Sequence, residues 1–544
     1  MSEGVDLFTF GVMAVIFIAV TLLLGVYGYR QTRDNSEDFL LGRKRTSPLI
    51  IALSYGATFL SASAVIGFGG QAAVHGMSLM WLCFLNLFIG LVVAFLVFGK
   101  RTRRLGRKLG ASTFADFLGK VYGSRFIRVF TAVLIIVMMP IYTAAVLKGG
   151  VNSLAVLTGL TEFYDYILIG LAIIVGVYVV YGGIIAVMYN DALQAGIMFI
   201  GMSVILVVTF LHFGDVGNAI GSLDSLWDQK IGEAGLGVLE GFNGWTNTPE
   251  FGSKEWMTVF STFVMGVGIG ALTQPQLAVR YMSAKSDRDL DKSLVIGSIF
   301  MLVIVGTAYT VGPLSNVFFN DAHGLTSFQY LTSLGLGTDF IIPQYILELF
   351  HGTTFGDVFI SLFLLSLVCA AISTISALMH TIGAAGGYDL YSVFSKKAAG
   401  DQSSVRTTRI VIVIMMILVV VYCYVMPKDI IAKATSIFMG MTACALLPTY
   451  FQALYSKKPS RVAAVWSMVV GTVSYLVLAL FFNTGLSIFM PICKMITGQA
   501  VLFPDSIIAY VDPILIALPL SIITMVVALL VIRRSGSPAS TDSA

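Results

Sequence analysis

Charge is what this sequence has least of: 11% of its 544 residues are Asp, Glu, Lys or Arg, against roughly a quarter in an ordinary soluble domain. With 57% hydrophobic residues, that shortage excludes a soluble globular chain and points to a protein that crosses a bilayer many times. Cysteine is scarce as well. Cys83, Cys369, Cys423, Cys444 and Cys493 lie mostly in apolar runs without metal-ligand spacing, so neither a disulfide framework nor a zinc centre follows. No nucleophile elbow, HExxH, P-loop or pair of carboxylates within an apolar run is present, and the chain reads as a transporter rather than an enzyme. A net charge of +4 identifies no partner, and no nucleic-acid partner is expected. The start, MSEGVDLF, has no basic n-region and no small-residue cleavage site, so Leu7 onward is expected to be a retained span.

What is present is a series of apolar runs of the length that crosses a hydrocarbon core of ~30 Å. They predict an all-α, polytopic fold of about thirteen spans, at 7–29, 49–72, 77–98, 126–147, 165–186, 191–212, 257–279, 291–313, 356–384, 408–426, 431–453, 461–483 and 512–532. With the N-terminus outside, Lys148, Lys230, Lys254, Lys428, Lys433 and Lys494 fall on the outer side. The other 27 of the 33 basic residues fall inside, as expected for a cell-membrane protein with a cytoplasmic C-terminus. The longer outer segments, 212–256 and 314–355, are expected to form short helices over the entrance, either lids or plain surface loops. The polar tail 535–544 reads as disordered.

The stretch from Ser54 to Gly70 carries Ser, Thr and Gly where a plain span would carry Leu. Gly56, Gly67, Gly69 and Gly70 each weaken helical order by roughly 1 kcal/mol relative to Ala. Ser54, Thr58, Ser61 and Ser63 can satisfy backbone groups that a break leaves open. A break at membrane depth frees carbonyls for a small cation and a half-helix N-terminus for an anion. The plain alternative is a tightly packed helix whose small residues let a neighbour approach.

Three further stretches carry chemistry. In AAISTIS, Ala370 to Ser376, Ser373 and Ser376 share a helical face with Thr374 beside it. Their hydroxyls are hard oxygen ligands of the kind sodium takes, or they bond the carbonyl one turn back. In YGGIIAVMYNDALQ, Asp191 is either a waypoint for a cation or the N-cap of the next span. In GVGIGALTQPQLAVRYMSAKS, three glycines and Pro275 predict a second span that is not a straight helix.

Together these stretches resemble the sodium/solute symporter family, whose members carry sugars, proline, pantothenate, vitamins and monocarboxylates. The resemblance also rests on EDFLLGRK at Glu37 to Lys44, ATFLSASAVIG at Ala57 to Gly67 and YDLY at Tyr388 to Tyr391. It implies one transmembrane transporter domain over 1–534 with a LeuT-type core of two inverted five-helix repeats. An extra helix at 7–29 precedes the repeats at 49–212 and 257–453, and two C-terminal helices at 461–532 follow. It implies sodium as the coupling ion, held by the carbonyls of Ala57, Leu60 and Ala370 and the hydroxyls of Ser373 and Thr374. Asp191 matches the acidic residue on the sodium exit route. Ser376 would join it in a second sodium site, but Ala377 lacks the hydroxyl found in two-sodium members.

The departures bear on the solute. Proline-carrying members have an acidic residue where this chain has Phe59 and aromatics at Val267 and Ala271, and sugar carriers have polar groups where it has Met80 to Cys83. The pattern is most similar to the pantothenate and monocarboxylate branch, so a small carboxylate is the expected solute. Ser61, Ser63, Asn86, Thr273 and Gln274 are the candidate solute contacts, or else packing polarity. No Arg or Lys is expected deep in the core spans, which leaves helix dipoles and hydroxyls as the anion's partners. A proline or amino-acid symporter is the alternative, and a solute sensor on the same fold is a third reading. His380 is expected either to line the inner exit or sense pH, or to bond a nearby carbonyl. Expected partners are thus a small solute, sodium and the lipid bilayer.

Overall fold

The computed structural model describes residues 5–32, 36–42, 46–353, 355–394, 402–427, 431–487 and 491–534. Arg43 and Lys44 of the EDFLLGRK motif, Lys428, Lys396 and Lys397, and the tail lie outside the described residues. Among those described, every regular element is helical. The main elements are α1 (Leu7–Thr32), α2 (Pro48–Phe59), α3 (Phe68–His75), α4 (Arg125–Leu157), α5 (Tyr164–His212) and α6 (Pro275–Ser283). They continue as α7 (Asp287–His323), α8 (Gly356–Ala384), α9 (Gln402–Val425), α10 (Ile431–Tyr455), α11 (Arg461–Phe481) and α12 (Ile514–Arg534).

Eleven helices among the described residues are long and apolar enough to cross a membrane. This count does not confirm the thirteen expected, because spans separate in sequence run on as continuous helix in the structure. Residues 165–186 and 191–212 lie within α5, whose 49 residues would extend roughly 74 Å as one straight rod. They do not form one: Gly183 has φ 57° and ψ −157°, a conformation essentially restricted to glycine. A Cβ there would stand 2.8 Å from the Phe39 carbonyl oxygen, so the chain needs glycine both for the bend and for the approach of Phe39. Asp191 is therefore not an N-cap. It sits two turns beyond the bend, inside α5 and fully buried.

The 49–72 run breaks as its composition predicts, but not at its glycines. α2 ends at Phe59, Leu60 leaves helical geometry at φ −90° and ψ 73°, and helix resumes at Ser63. The glycines serve packing instead. Gly56 faces the Phe300 ring, Gly67 faces Ile431, and Gly69 faces Ile342. The second break lies at Gln274, extended at φ −70° and ψ 116°, because the residue before a proline is pushed out of the helical region. Pro275 then opens α6 at its first position, where no amide hydrogen bond is lost.

α5 packs against α1, α2 and α8, which places Asp191 and Ser373 at the centre of the molecule. The long connecting segments form the expected short helices, Val216–Lys230, Ser327–Ser333 and Ile341–Phe350. One loop is fastened to the end of α3: Met77 N donates to Trp245 O at 2.7 Å, and the buried His75 Nδ1 meets Glu255 Oε1 at 2.5 Å. His75 is thus an interior partner. All five cysteines are buried and unpaired.

Candidate functional site

The first break and α8 form the tightest cluster of neutral oxygens. Ser373 Oγ donates to Ala57 O at 3.0 Å and lies 3.2 Å from Ala370 O, its other acceptor, while Thr374 Oγ1 donates to Thr58 O at 3.3 Å. Thr58, whose carbonyl sequence reasoning did not name, joins the set through the geometry of the break. Leu60's carbonyl leaves the helical ladder with its backbone at φ −90°, ψ 73°. The donors Ala57, Leu60, Ala370, Ser373 and Thr374 are all buried and carry no formal charge. That chemistry suits a hard monovalent cation. Among the described residues no group of three or more His, Cys, Asp or Glu could hold a metal ion.

One layer deeper stands a charged pair. Asp191 Oδ2 accepts from Ser54 Oγ at 2.7 Å, Thr58 Oγ1 at 3.2 Å and Arg280 Nη2 at 3.1 Å. Arg280 also donates to Thr58 Oγ1 at 2.9 Å, to Ser54 Oγ at 3.3 Å and to Gln276 O at 2.6 Å. Ser376 Oγ reaches Asp191 Oδ1 at 3.5 Å, yet its shorter bond, 2.9 Å, goes to Ser373 O. The expectation that no basic residue lies deep in the core is overturned here: Arg280 has no solvent exposure. Sequence placed it in a basic loop because VRYMSAK follows an apolar run. Only the turn of α6 back into the core carries it inward.

The candidate solute residues divide into two groups. Ser61 Oγ lies 3.1 Å from Tyr142 OH, and Thr435 Oγ1 donates to Ser63 Oγ at 2.9 Å, so the first break is surrounded by hydroxyls. Gln274 Nε2 donates to Gly270 O and to Thr442 Oγ1, both at 2.9 Å, and Thr273 Oγ1 donates to Gly270 O at 3.2 Å at the second break. Asn86 is buried with no protein partner for Oδ1. Sequence reasoning missed Tyr142, Thr435 and Thr442. Thr435, Phe438 and Thr442 follow at i, i+3 and i+7 on one face of α10, a stripe readable from spacing. That face links both breaks, and Phe438 stacks on Tyr142 at 5.5 Å between ring centroids.

His380 meets the Phe39 carbonyl at 3.0 Å through Nε2 and is fully enclosed. This is the carbonyl-bonded arrangement rather than a free lining residue. Phe59 and Ala271, one from each break, both lie over Gly90.

The sequence matches the sodium:solute symporter family over residues 39–471. It is 28% identical over 88% of its length to the high-affinity proline transporter PutP of Bacillus subtilis, covering 93% of that protein. It is 26% identical over 89% of its length to the osmoregulated proline transporter OpuE of the same organism, covering 91% of that protein. In three dimensions it resembles a sodium-coupled sialic acid symporter in a substrate-bound, outward-open state, with a TM-score of 0.72, 16% identity, and coverage of 98% of this chain and 99% of that one. This multi-pass membrane chain belongs to the sodium:solute symporter family, a family of transporters rather than enzymes, with sodium as its coupling ion.

Proposed function

We propose that this chain is a sodium-coupled importer of a small solute bearing a carboxylate, a monocarboxylate or a pantothenate-like acid, working by alternating access. The observation that carries the reading is the joining of α8 to the first break by the Ser373 bond to the Ala57 carbonyl, 3.0 Å. Sodium bound by Ala57, Leu60, Ala370, Ser373 and Thr374 replaces that hydrogen bond with a stronger bridge and orders the break. The solute then docks on the ordered half-helix, so each ligand favours the other through a shared element.

The hydroxyls of Ser61, Ser63, Tyr142 and Thr435 surround the start of the resumed helix, where the dipole favours negative charge. Gln274, Thr273 and Asn86 are the further solute contacts of this reading, the first two at the second break. Asp191, neutralised by Arg280 and touched by Ser376, stands inward of the sodium ligands as the exit waypoint. Thirteen crossings and two inverted repeats are supported by the divisions within long helices. The non-helical Gly183 divides Thr161–His212, and Gly76, with φ 77°, divides Ser63–Lys108. The surplus of basic residues on one side supports an outer N-terminus and a cytoplasmic C-terminus in the cell membrane.

The proline reading is favoured by the named relatives and is the second candidate. A tenfold sodium gradient supplies ~1.4 kcal/mol and 100 mV adds ~2.3 kcal/mol per charge moved. One sodium with a monoanion is electroneutral, whereas one sodium with zwitterionic proline is not. Uptake of labelled acetate, pyruvate, lactate, pantothenate and proline into proteoliposomes, with and without an inward sodium gradient and with voltage clamped at zero, tests the reading. Sodium-driven uptake of a carboxylate independent of voltage supports one sodium per monoanion. Uptake confined to proline overturns the solute assignment. Sodium binding without any solute exchange overturns transport and favours a sensor.

A further inference from the structure

Away from this site, a groove of about 600 Å³ opens between α10, α12 and the helical stretch containing Phe98. Its lining is almost wholly apolar and includes Leu272, Leu447, Phe451, Met525 and Leu529. Its lip is open sideways: Phe451 is 49% exposed, Ile522 44% and Val526 48%. In a membrane protein such a face meets lipid tails, and by itself it selects nothing.

The mouth does. Three walls of the groove end in a basic pair: Lys100 and Arg101 after Phe98, Lys457 and Lys458 after Ser456, and Arg533 and Arg534 one turn after Leu529. Along α12, Ile522, Val526, Leu529 and Arg533 recur at i, i+4, i+7 and i+11 and so share one face. Lys100 is paired with Asp291 at 2.6 Å, and Arg101 lies over the Tyr455 ring at 3.8 Å. Lys457, Lys458, Arg533 and Arg534 are exposed, and none has an acidic partner within 4.0 Å among the described residues. Inside the lining, Gln452 is 7% exposed. Its Oε1 accepts from Tyr122 OH at 2.8 Å, while its Nε2 has no protein partner.

We propose that this groove holds one acyl chain of an anionic phospholipid drawn from the leaflet on the basic side. Its phosphate rests among Lys457, Lys458, Arg533 and Arg534. An apolar slot with a basic rim between helices is the arrangement that retains acidic headgroups at a membrane surface. Gln452 offers a donor to an ester or phosphate oxygen. Charge complementarity selects an anionic over a zwitterionic headgroup. Leu272, part of the groove lining, belongs to the turn Ala271–Thr273 that precedes the break at Gln274. The bound tail therefore packs against the segment that forms the second break.

Native mass spectrometry of the full-length chain, equilibrated with an equimolar mixture of phosphatidylglycerol and phosphatidylcholine, tests this. The expected result is retention of one phosphatidylglycerol with about fivefold preference or more. Replacing Lys457, Lys458, Arg533 and Arg534 by Gln should bring the preference to parity while a lipid is still retained. Leu447→Trp fills the groove from within and Val526→Trp from its lip, and either should abolish retention of both lipids. Val526→Trp covers the case in which Leu447→Trp does not fold. Equal retention of the two lipids by the unchanged chain would overturn the proposal, as would retention of free fatty acid in their place, or undiminished retention in a folded Trp variant.

Discussion

Arg280 donates to Asp191 at 3.1 Å, and neither side chain has any solvent exposure. The pair joins α5 to α6, and both partners also bond Ser54 and Thr58 of α2, so three helices meet on one carboxylate. A charge buried this deeply persists because it is paired and hydrogen-bonded on most of its lone pairs. With the guanidinium already supplying the positive charge, Asp191 has less to offer a second cation than a free carboxylate would.

Removing either partner leaves an uncompensated charge at the centre. Asp191→Asn and Arg280→Gln should each destabilise by about 3–5 kcal/mol, and the double variant should cost clearly less than the sum. Thermal unfolding of the purified variants in one detergent measures the coupling. Additive effects would mean that the two groups act independently.

Thr374→Val removes one hydroxyl at nearly constant shape. If Thr374 is a sodium ligand, the sodium concentration for half-maximal uptake should rise about tenfold, equivalent to ~1.4 kcal/mol of lost binding. The melting temperature without sodium should change little. Ser373→Ala should act in the same direction; it loses its bond to the Ala57 carbonyl, as Thr374→Val loses the longer one to the Thr58 carbonyl. Unchanged sodium dependence in both variants would remove these residues from the site.

Gly183→Ala meets two obstacles. The φ of 57° with ψ −157° is costly for a residue with a Cβ, and that Cβ would press on Phe39. A cost on the order of 1–3 kcal/mol for the backbone alone is expected, with further loss from displacing Phe39 and, through it, the carbonyl that meets His380. Unfolding midpoints against Gly176→Ala, where an added Cβ meets nothing within 4 Å on the same helix, would measure it.

On the loop after Lys230, Glu233 is held below its ordinary carboxylate value of 4.5 by the hydrogen bond from Gln329, then by that from Lys230. The folded pKa is depressed. Its stabilising effect is therefore fully present above the unfolded value and is lost as pH falls through the folded value. Hydrogen exchange of the loop at residues 231–253 should thus be slower in the parent than in Glu233→Gln at neutral pH and equal in the two once the pH has fallen below the folded value. The pair is exposed, so the difference should be modest.

Several parts of the site were legible from residue type and spacing. Ser and Thr in place of Leu announced the first break, and Gln-Pro announced the second. The chemistry behind each is local: a proline dictates the conformation of its predecessor, and hydroxyls satisfy backbone freed within their own turn. Asp191 is named in the sequence either as a cation waypoint or as an N-cap, and its place inside α5 removes the cap. Gly183, eight residues earlier, not the acid, carries the bend. His380 was named with its carbonyl-bonded arrangement among the alternatives, although nothing local identified Phe39 as the partner.

The sequence by itself determined that this is an all-helical, multi-pass membrane protein. Hydrophobic length and scarcity of charge are properties of single segments in lipid and need no knowledge of what those segments touch. It also marked two runs, 49–72 and 257–279, as broken, though not the bend at Gly183. Only the tertiary structure decided what the breaks face. Ser373 and Ala57 are 316 positions apart, Arg280 and Asp191 89. No local propensity encodes such distances, because they follow from packing α2, α5, α6 and α8 around one centre. The same packing turned Arg280 from a surface charge into an interior one. Burial is a property of the assembled molecule, not of the residue.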